Sequence, residues 1–212
     1  MFDTTIRSIF EEENFPVPHG FTDKDVNLDA PKLFADEFIL YYLRYVNKAA
    51  MNLYSTAVPL MTRRDVREFM TDCLQTSIKL LNKVNDVLIG RKLIVKPPVI
   101  PIPNKIDFIK KQNYLNGFFG KIRPLSALEI TRLYDGIENN LTSKAVLVAF
   151  SQVAQLEQTR NYFIRGEKMM AKHCDIFSKV LEKNRLPAPS LLDQYVSTST
   201  EPPFSDKLMT FH

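Results

Sequence analysis

Strand-like alternation of apolar and polar residues is almost absent from this chain of 212 residues, which also holds only six glycines. These deficits remove architectures built on period-two patterning and glycine turns, and they leave helices as the expected element. Charge of one sign is nowhere concentrated: the net value is +4, from 28 basic and 24 acidic residues mixed along the chain. A nucleic-acid binder would carry a Lys/Arg stripe or a recognisable reading module. Neither is present, so the charges read as solvated helix faces. No uncharged apolar run approaches the roughly 18 residues needed to span a bilayer. Asp3 followed by Glu11-Glu12-Glu13 is not the pattern of a secretory leader.

Cysteine is scarce too. Cys73 and Cys174 sit far apart in apolar helical stretches, which suits small core residues of a reduced, cytoplasmic protein better than a disulfide or a metal pair. A catalytic thiol would need a histidine partner that no local pattern supplies. There is no Gly-rich phosphate loop, no serine nucleophile elbow and no paired-carboxylate spacing. No catalytic, cofactor-binding or metal-ligating residue is therefore assigned, and no cofactor is expected.

What the chain does contain is a proline-bracketed block present twice. Phe15-Pro16-Val17-Pro18 leads through Asp25-Val26 and Pro31 to Phe34 and Asp36; Leu186-Pro187-Ala188-Pro189 leads to Pro202-Pro203-Phe204-Ser205-Asp206. The offset is 171 at Pro16/Pro187, Pro18/Pro189 and Pro31/Pro202, and 170 at Phe34/Phe204 and Asp36/Asp206. Ile6, Ile9 and Phe10 before the first block match Phe177, Val180 and Leu181 before the second. One unit of helix end, proline connection and helix start thus recurs at domain-sized spacing.

In chain order, residues 1 to about 14 read as the end of a helix, stopped by Pro16 and Pro18. His19-Gly20 is the expected turn of the connection, and Pro31 the expected first residue of the next helix. That helix spans Lys32 to about Leu60. Thr62 to Asp65 resembles a capping box and opens a helix with a stripe of Val66, Phe69, Cys73, Leu80, Val84 and Val87, ending at Gly90. Residues 91 to 124 form a long connection. Its Pro97 to Pro103 segment favours an extended conformation, with a helical turn over Asp107 to Gln112 and a bend at Gly117 to Gly120. Ser126 and Glu129 form a standard capping box. The stripe after them is Ile130, Tyr134, Ile137, Leu141, Ala145, Val148 and Gln152. A break is required by length near Gln155 to Thr159, and the spacing resumes through Phe163, Gly166, Met170, His173, Phe177 and Val180.

On Phe15 to Phe34, Arg64-Asp65, Lys121 to Glu129, Phe150 to Val153, Tyr162 to Gly166 and Pro202 to Met209, the chain resembles an uncharacterised family of proteins from spore-forming bacteria, a domain of unknown function. The resemblance covers essentially the whole chain. It implies an all-α fold of ferritin-like up-down four-helix bundles in tandem, with a long proline-rich crossover and a distant similarity to spore-coat proteins of the coat-protein-F type. It carries over no activity, cofactor or site residue. Its bundle phase makes residues 1–103 the later part of a first bundle and 104–212 the first half of a second, so the chain reads as the middle of a tandem repeat. Helix count alone gives the alternative of one bundle over 32–184.

A ferritin-like bundle invites a di-iron site, which needs a Glu from each of two helices and a Glu-x-x-His from each of the other two. Of the three histidines only His173 lies inside a helix, and Met170 stands where its glutamate should be. The standard site is absent; a reduced site of Glu37, Glu138, Glu167 and His173 stays open. The plainer reading has His173 hydrogen-bonded to a neighbour such as a helix carboxylate or a tyrosine hydroxyl, and the buried acids paired with Arg44 or Lys48 on the same helix. The expected function is that of a non-enzymatic helical-bundle protein acting by contact with a protein partner or with itself, in spore or coat assembly by resemblance. Neither nucleic acid nor membrane is an expected partner. The alternative is a divergent ferritin-like metal-binding protein or oxidase.

Overall fold

The three- and four-residue spacing of apolar side chains becomes six α-helices in a computed structural model, which describes residues 2–94, 96–100 and 124–212. They are α1 (Phe2–Glu12), α2 (Asp36–Ala57), α3 (Arg64–Gly90), α4 (Ala127–Val153), α5 (Glu157–Lys183) and α6 (Asp206–Phe211). Among the described residues there is no strand, only two isolated β-bridges. The α4 and α5 helices pack along their length, α2 pairs with α3, and α1 lies on α3. Short connections make both pairs antiparallel.

The helix ends follow from local chemistry. At the start of α4, the Glu129 amide donates to the Ser126 hydroxyl at 3.3 Å and the Ser126 amide donates to the Glu129 carboxylate at 2.7 Å, the reciprocal cap the sequence predicts. Asn14, Lys92 and Arg185 all adopt left-handed φ, 53°, 57° and 57°, just after α1, α3 and α5. At each end an amide reaches five residues back: Phe15 to Phe10, Leu93 to Leu88, Leu186 to Leu181, at 2.8, 2.9 and 3.0 Å. That contact is the Schellman ending, made here without glycine. Gly90 closes α3 as expected, but the left-handed position is Lys92.

The core centres on α4, which is buried on two sides. Tyr134, Ile137, Leu141, Ala145, Ala149, Phe150 and Val153 join Phe163, Cys174 and Leu181 of α5 and Met209 of α6. Leu33 and Phe38, from the first half of the chain, enter the same cluster. Burial of this apolar surface at about 25 cal/mol per Å² is the main force holding the halves together.

Several local expectations shift. No turn forms at His19-Gly20; it falls at Leu28-Asp29, where the Asp29 amide donates to the Asn27 side chain at 3.1 Å. Pro31 is not the first helical residue: α2 starts five positions later, after Ala35. Thr62 makes no cap; Arg63 occupies that position and its guanidinium holds Asp65 at 2.6 Å and Glu13 at 2.5 Å. The buried stripe of α3 is Cys73, Ser77, Val84 and Leu88, leaving Leu80 and Val87 exposed. On α4 the stripe drifts to Ala149 and Val153 instead of Val148 and Gln152, as a 3.6-residue period requires. The break in the last long helix pair lies at Ala154 to Leu156. It is fixed by the Asp206 carboxylate, which accepts from the amides of Gln155 at 3.0 Å and Leu156 at 2.8 Å. The expectations for Pro101 to Pro103, Asp107 to Gln112 and Gly117 to Gly120 lie outside the described residues.

Candidate functional site

The repeated proline blocks meet each other. Val26 bridges to Phe204 and Phe34 bridges to Val196, both antiparallel. The Asn27 amide donates to the Pro203 carbonyl at 2.8 Å, and the Ser197 amide to the Leu33 carbonyl at 2.9 Å. Likewise the Ser205 amide donates to the Asp25 carbonyl and the Ala35 amide to the Tyr195 carbonyl, both at 2.9 Å. Adding 170 to the first-block residue of each contact generates its mate, so the exchange is two-fold and self-complementary, as between subunits of a symmetric dimer. The register change therefore precedes the short 3-10 turns Asp23–Asp25 and Asp193–Tyr195. Pro202 thus matches Lys32 and not Pro31, a correction to the alignment by proline alone.

A side-chain pair supports one side of this exchange. The Asp25 carboxylate accepts from the Thr22 amide at 2.9 Å and the Ser205 hydroxyl at 2.7 Å. These hydrogen bonds, led by the Thr22 amide, hold its pKa below the ordinary carboxylate value. Sequence reading missed the pair, although Thr22-x-x-Asp25 and Ser205 at a helix start were its local signals.

The α2–α4 face is polar. Arg44 donates to Glu138 at 2.9 Å and Lys48 pairs with Asp135. The cations expected to serve acids of their own helix instead tie two helices together. Tyr41 donates its hydroxyl to the Leu93 carbonyl at 2.5 Å, and burial, then neighbouring Tyr195, pushes its phenol up to about 12. A cavity of about 50 Å³ beside these groups includes Asn139 in its wall. The Asn139 side-chain oxygen is buried without a protein partner. That is room for a few waters.

His173 lies 3.2 Å from the Asn140 side-chain oxygen and stacks on Phe177, an amide partner in place of the carboxylate or tyrosine expected. Glu37 and Glu167 are half-buried on α2 and α5. Among the described residues, no three His, Cys, Asp or Glu side chains converge on a point that could hold a metal ion. Cys73 and Cys174 are free and buried, and burial raises both thiol pKa values, which disfavours the reactive thiolate. Arg160 donates to the Ala154 carbonyl at 2.7 Å, closing the α4–α5 turn. Arg165 lies over the Tyr162 ring at 5.9 Å. Among the described residues no helix is long and apolar enough to cross a membrane.

No curated protein and no solved structure matches the chain. A family match covers residues 3–106 and recurs over 113–212, one copy for each proline block and its helices. The two-fold exchange is thus a contact between tandem units, and the chain belongs to the family described as Protein of unknown function (DUF3231).

Proposed function

We propose that this chain is a non-enzymatic helical-bundle protein of ferritin-like type that works through protein–protein contacts. The observation that carries the reading is an open seam on α5. Tyr162, Met169 and Ile176 recur every seven residues and remain 51%, 51% and 45% exposed. His173 and Val180 fall on the same side of the helix. The repeat offset of 171 places Phe2 and Ile9 over His173 and Val180, and those two residues are where α1 packs on α3: Phe2 meets Phe69 edge-on at 6.0 Å, and Ile9 is the buried residue of α1. On α5 those two positions are half-buried, with His173 against Asn140 of α4, and the exposed Tyr162, Met169 and Ile176 run along their outer edge. Exposed apolar stripes of this kind mark contact surfaces.

The two-fold strap exchange supports the same reading, because it is already a recognition between folded units. In this reading such contacts serve spore or cell-envelope assembly and begin in the cytoplasm, a role drawn only from the resemblance of the sequence to coat-protein-F-type proteins. Tandem ferritin-like bundles, with residues 1–103 and 104–212 in different bundles, are part of this proposal.

Sedimentation equilibrium of the full chain tests it. Concentration-dependent self-association, or binding of an isolated partner, is expected to fall when Met169→Glu and Ile176→Glu are introduced together with helical content unchanged. A monomer at all concentrations whose partner binding ignores both changes overturns it. One iron or manganese per chain, lost in His173→Ala, would instead favour a divergent metal-binding bundle.

A further inference from the structure

A second cavity, of about 170 Å³, lies where the two repeats exchange. Its walls come in two-fold pairs at offset 170: Phe34 with Phe204, Phe38 with Leu208, Tyr42 with His212. From α4, Val146 and Phe150 close the inner side. The lining is apolar and aromatic except at one end. There the Tyr42 hydroxyl lies 3.0 Å from Nε2 and 3.2 Å from Nδ1 of His212.

Size and chemistry together select an occupant. An apolar cavity of about 150 Å³ stays dry and admits benzene, so this one takes a single ring and not a fused pair. Aromatic walls favour an aromatic ring, through edge and offset contacts. The stacked Phe34 and Phe38 rings, 4.6 Å apart, and the Phe150 ring, edge-on to Phe204 at 6.3 Å, already show that packing. A tyrosine hydroxyl both donates and accepts. Tyr42 meets His212 with one of these functions, and the other is left to pair with a ligand hydroxyl at the polar end.

We propose that this cavity is a binding site for a one-ring aromatic alcohol of the phenol class, its ring against Phe34, Phe38 and Phe150 and its hydroxyl on the Tyr42–His212 pair. The ligand touches both repeats, so its binding clamps the strap exchange. It would raise the stability of the folded chain by mass action.

The full chain is titrated with p-cresol, read by saturation-transfer NMR and by the rise in Tm, with toluene as the hydroxyl-free control. The expected result is saturable binding of one p-cresol per chain, with toluene weaker by about tenfold, the worth of one hydrogen bond. Val146→Phe fills the inner wall and is expected to abolish binding with the helical circular dichroism unchanged. Should that variant fail to fold, Ile39→Phe at the exposed mouth carries the same test. No saturation with p-cresol at millimolar concentration, or undiminished binding in the folded variant, overturns the site. Equal affinity for toluene overturns the role given to Tyr42 and His212.

Discussion

The Ser205 hydroxyl donates to the Asp25 carboxylate at 2.7 Å across 180 positions of chain. Ser205 also caps α6, its hydroxyl accepting from the Leu208 amide at 3.1 Å. One short side chain therefore starts a helix of the second repeat and fastens it to the connection of the first. A capping serine is a local device; here it becomes a tertiary one.

Removing either partner should weaken the same contact. Asp25→Ala and Ser205→Ala are each expected to lower Tm, and the double variant to lose less than the sum, because the two side chains share one network. Asp25 has a depressed folded pKa, led by the hydrogen bond from the Thr22 amide. Its contribution is present above the ordinary carboxylate pKa and is lost as pH falls through the lower folded value. Urea melts at neutral and strongly acidic pH check this: the gap between wild type and Asp25→Ala should close on acidification. Additive losses would show that the two side chains act separately.

Phe38 is the first repeat's anchor in the core of the second. It is 1% exposed, stacks on Phe34 at 4.6 Å and joins the cluster around Phe150. Truncation to Ala should cost about 3–5 kcal/mol, the range for a buried aromatic. The more telling readout is cooperativity. With Phe38 in place, denaturant unfolding followed by circular dichroism and by tyrosine fluorescence should coincide. In Phe38→Ala the two transitions should separate, since the halves lose their shared core.

Helices were legible in the sequence because burial imposes a period that the chain cannot hide, but their faces only in part, since Leu80 and Val87 of the expected α3 stripe lie exposed. The Ser126–Glu129 cap was legible for the same reason: both partners lie within one turn. The repeat was visible, yet its register was misread at Pro31/Pro202. Proline identity is a weaker guide than backbone pairing, which makes Val196 the equivalent of Val26 through their bridges to Phe34 and Phe204. The break at Ala154 to Leu156 left no glycine or proline signal, because the group that ends the hairpin, Asp206, is 50 residues further on. Arg44 with Glu138 and Lys48 with Asp135 escaped for the same reason. A pair of charges on separate helices has no spacing to read until α2 is known to lie along α4.

Two glycines set how closely α4 and α5 approach. A Cβ at Gly136 would stand 3.2 Å from the Phe177 ring, and one at Gly166 would stand 3.1 Å from Leu147. Both sit in helix interiors, where glycine otherwise costs about 0.5–1 kcal/mol relative to alanine. A methyl asks the neighbour to yield only slightly, so Gly166→Ala should be nearly neutral. Gly166→Leu overfills the interface and should cost about 1–3 kcal/mol. Chemical denaturation of the pair separates the two: equal stabilities would mean that the helices are not held at this distance by the glycines.

His212 supplies a pH dependence of opposite origin to that of Asp25. Its ring lies against Tyr42 and the edge of Phe150, with ring centres 5.4 and 5.9 Å away. Burial lowers its pKa from the ordinary value, so the folded chain disfavours the imidazolium that the unfolded chain accepts freely. Between the folded pKa and about 6.5, the unfolded state binds more protons. Stability from this residue is therefore complete above that window and falls as pH drops through it. Melting temperatures from pH 7.5 to 5 should decline more steeply in the wild type than in His212→Phe, which keeps a ring in the site and removes the titration. Tyr42→Phe should keep the slope, because it leaves the imidazole against the Phe150 ring. Parallel curves for wild type and His212→Phe would mean that the ring meets water as freely in the folded chain as in the unfolded one.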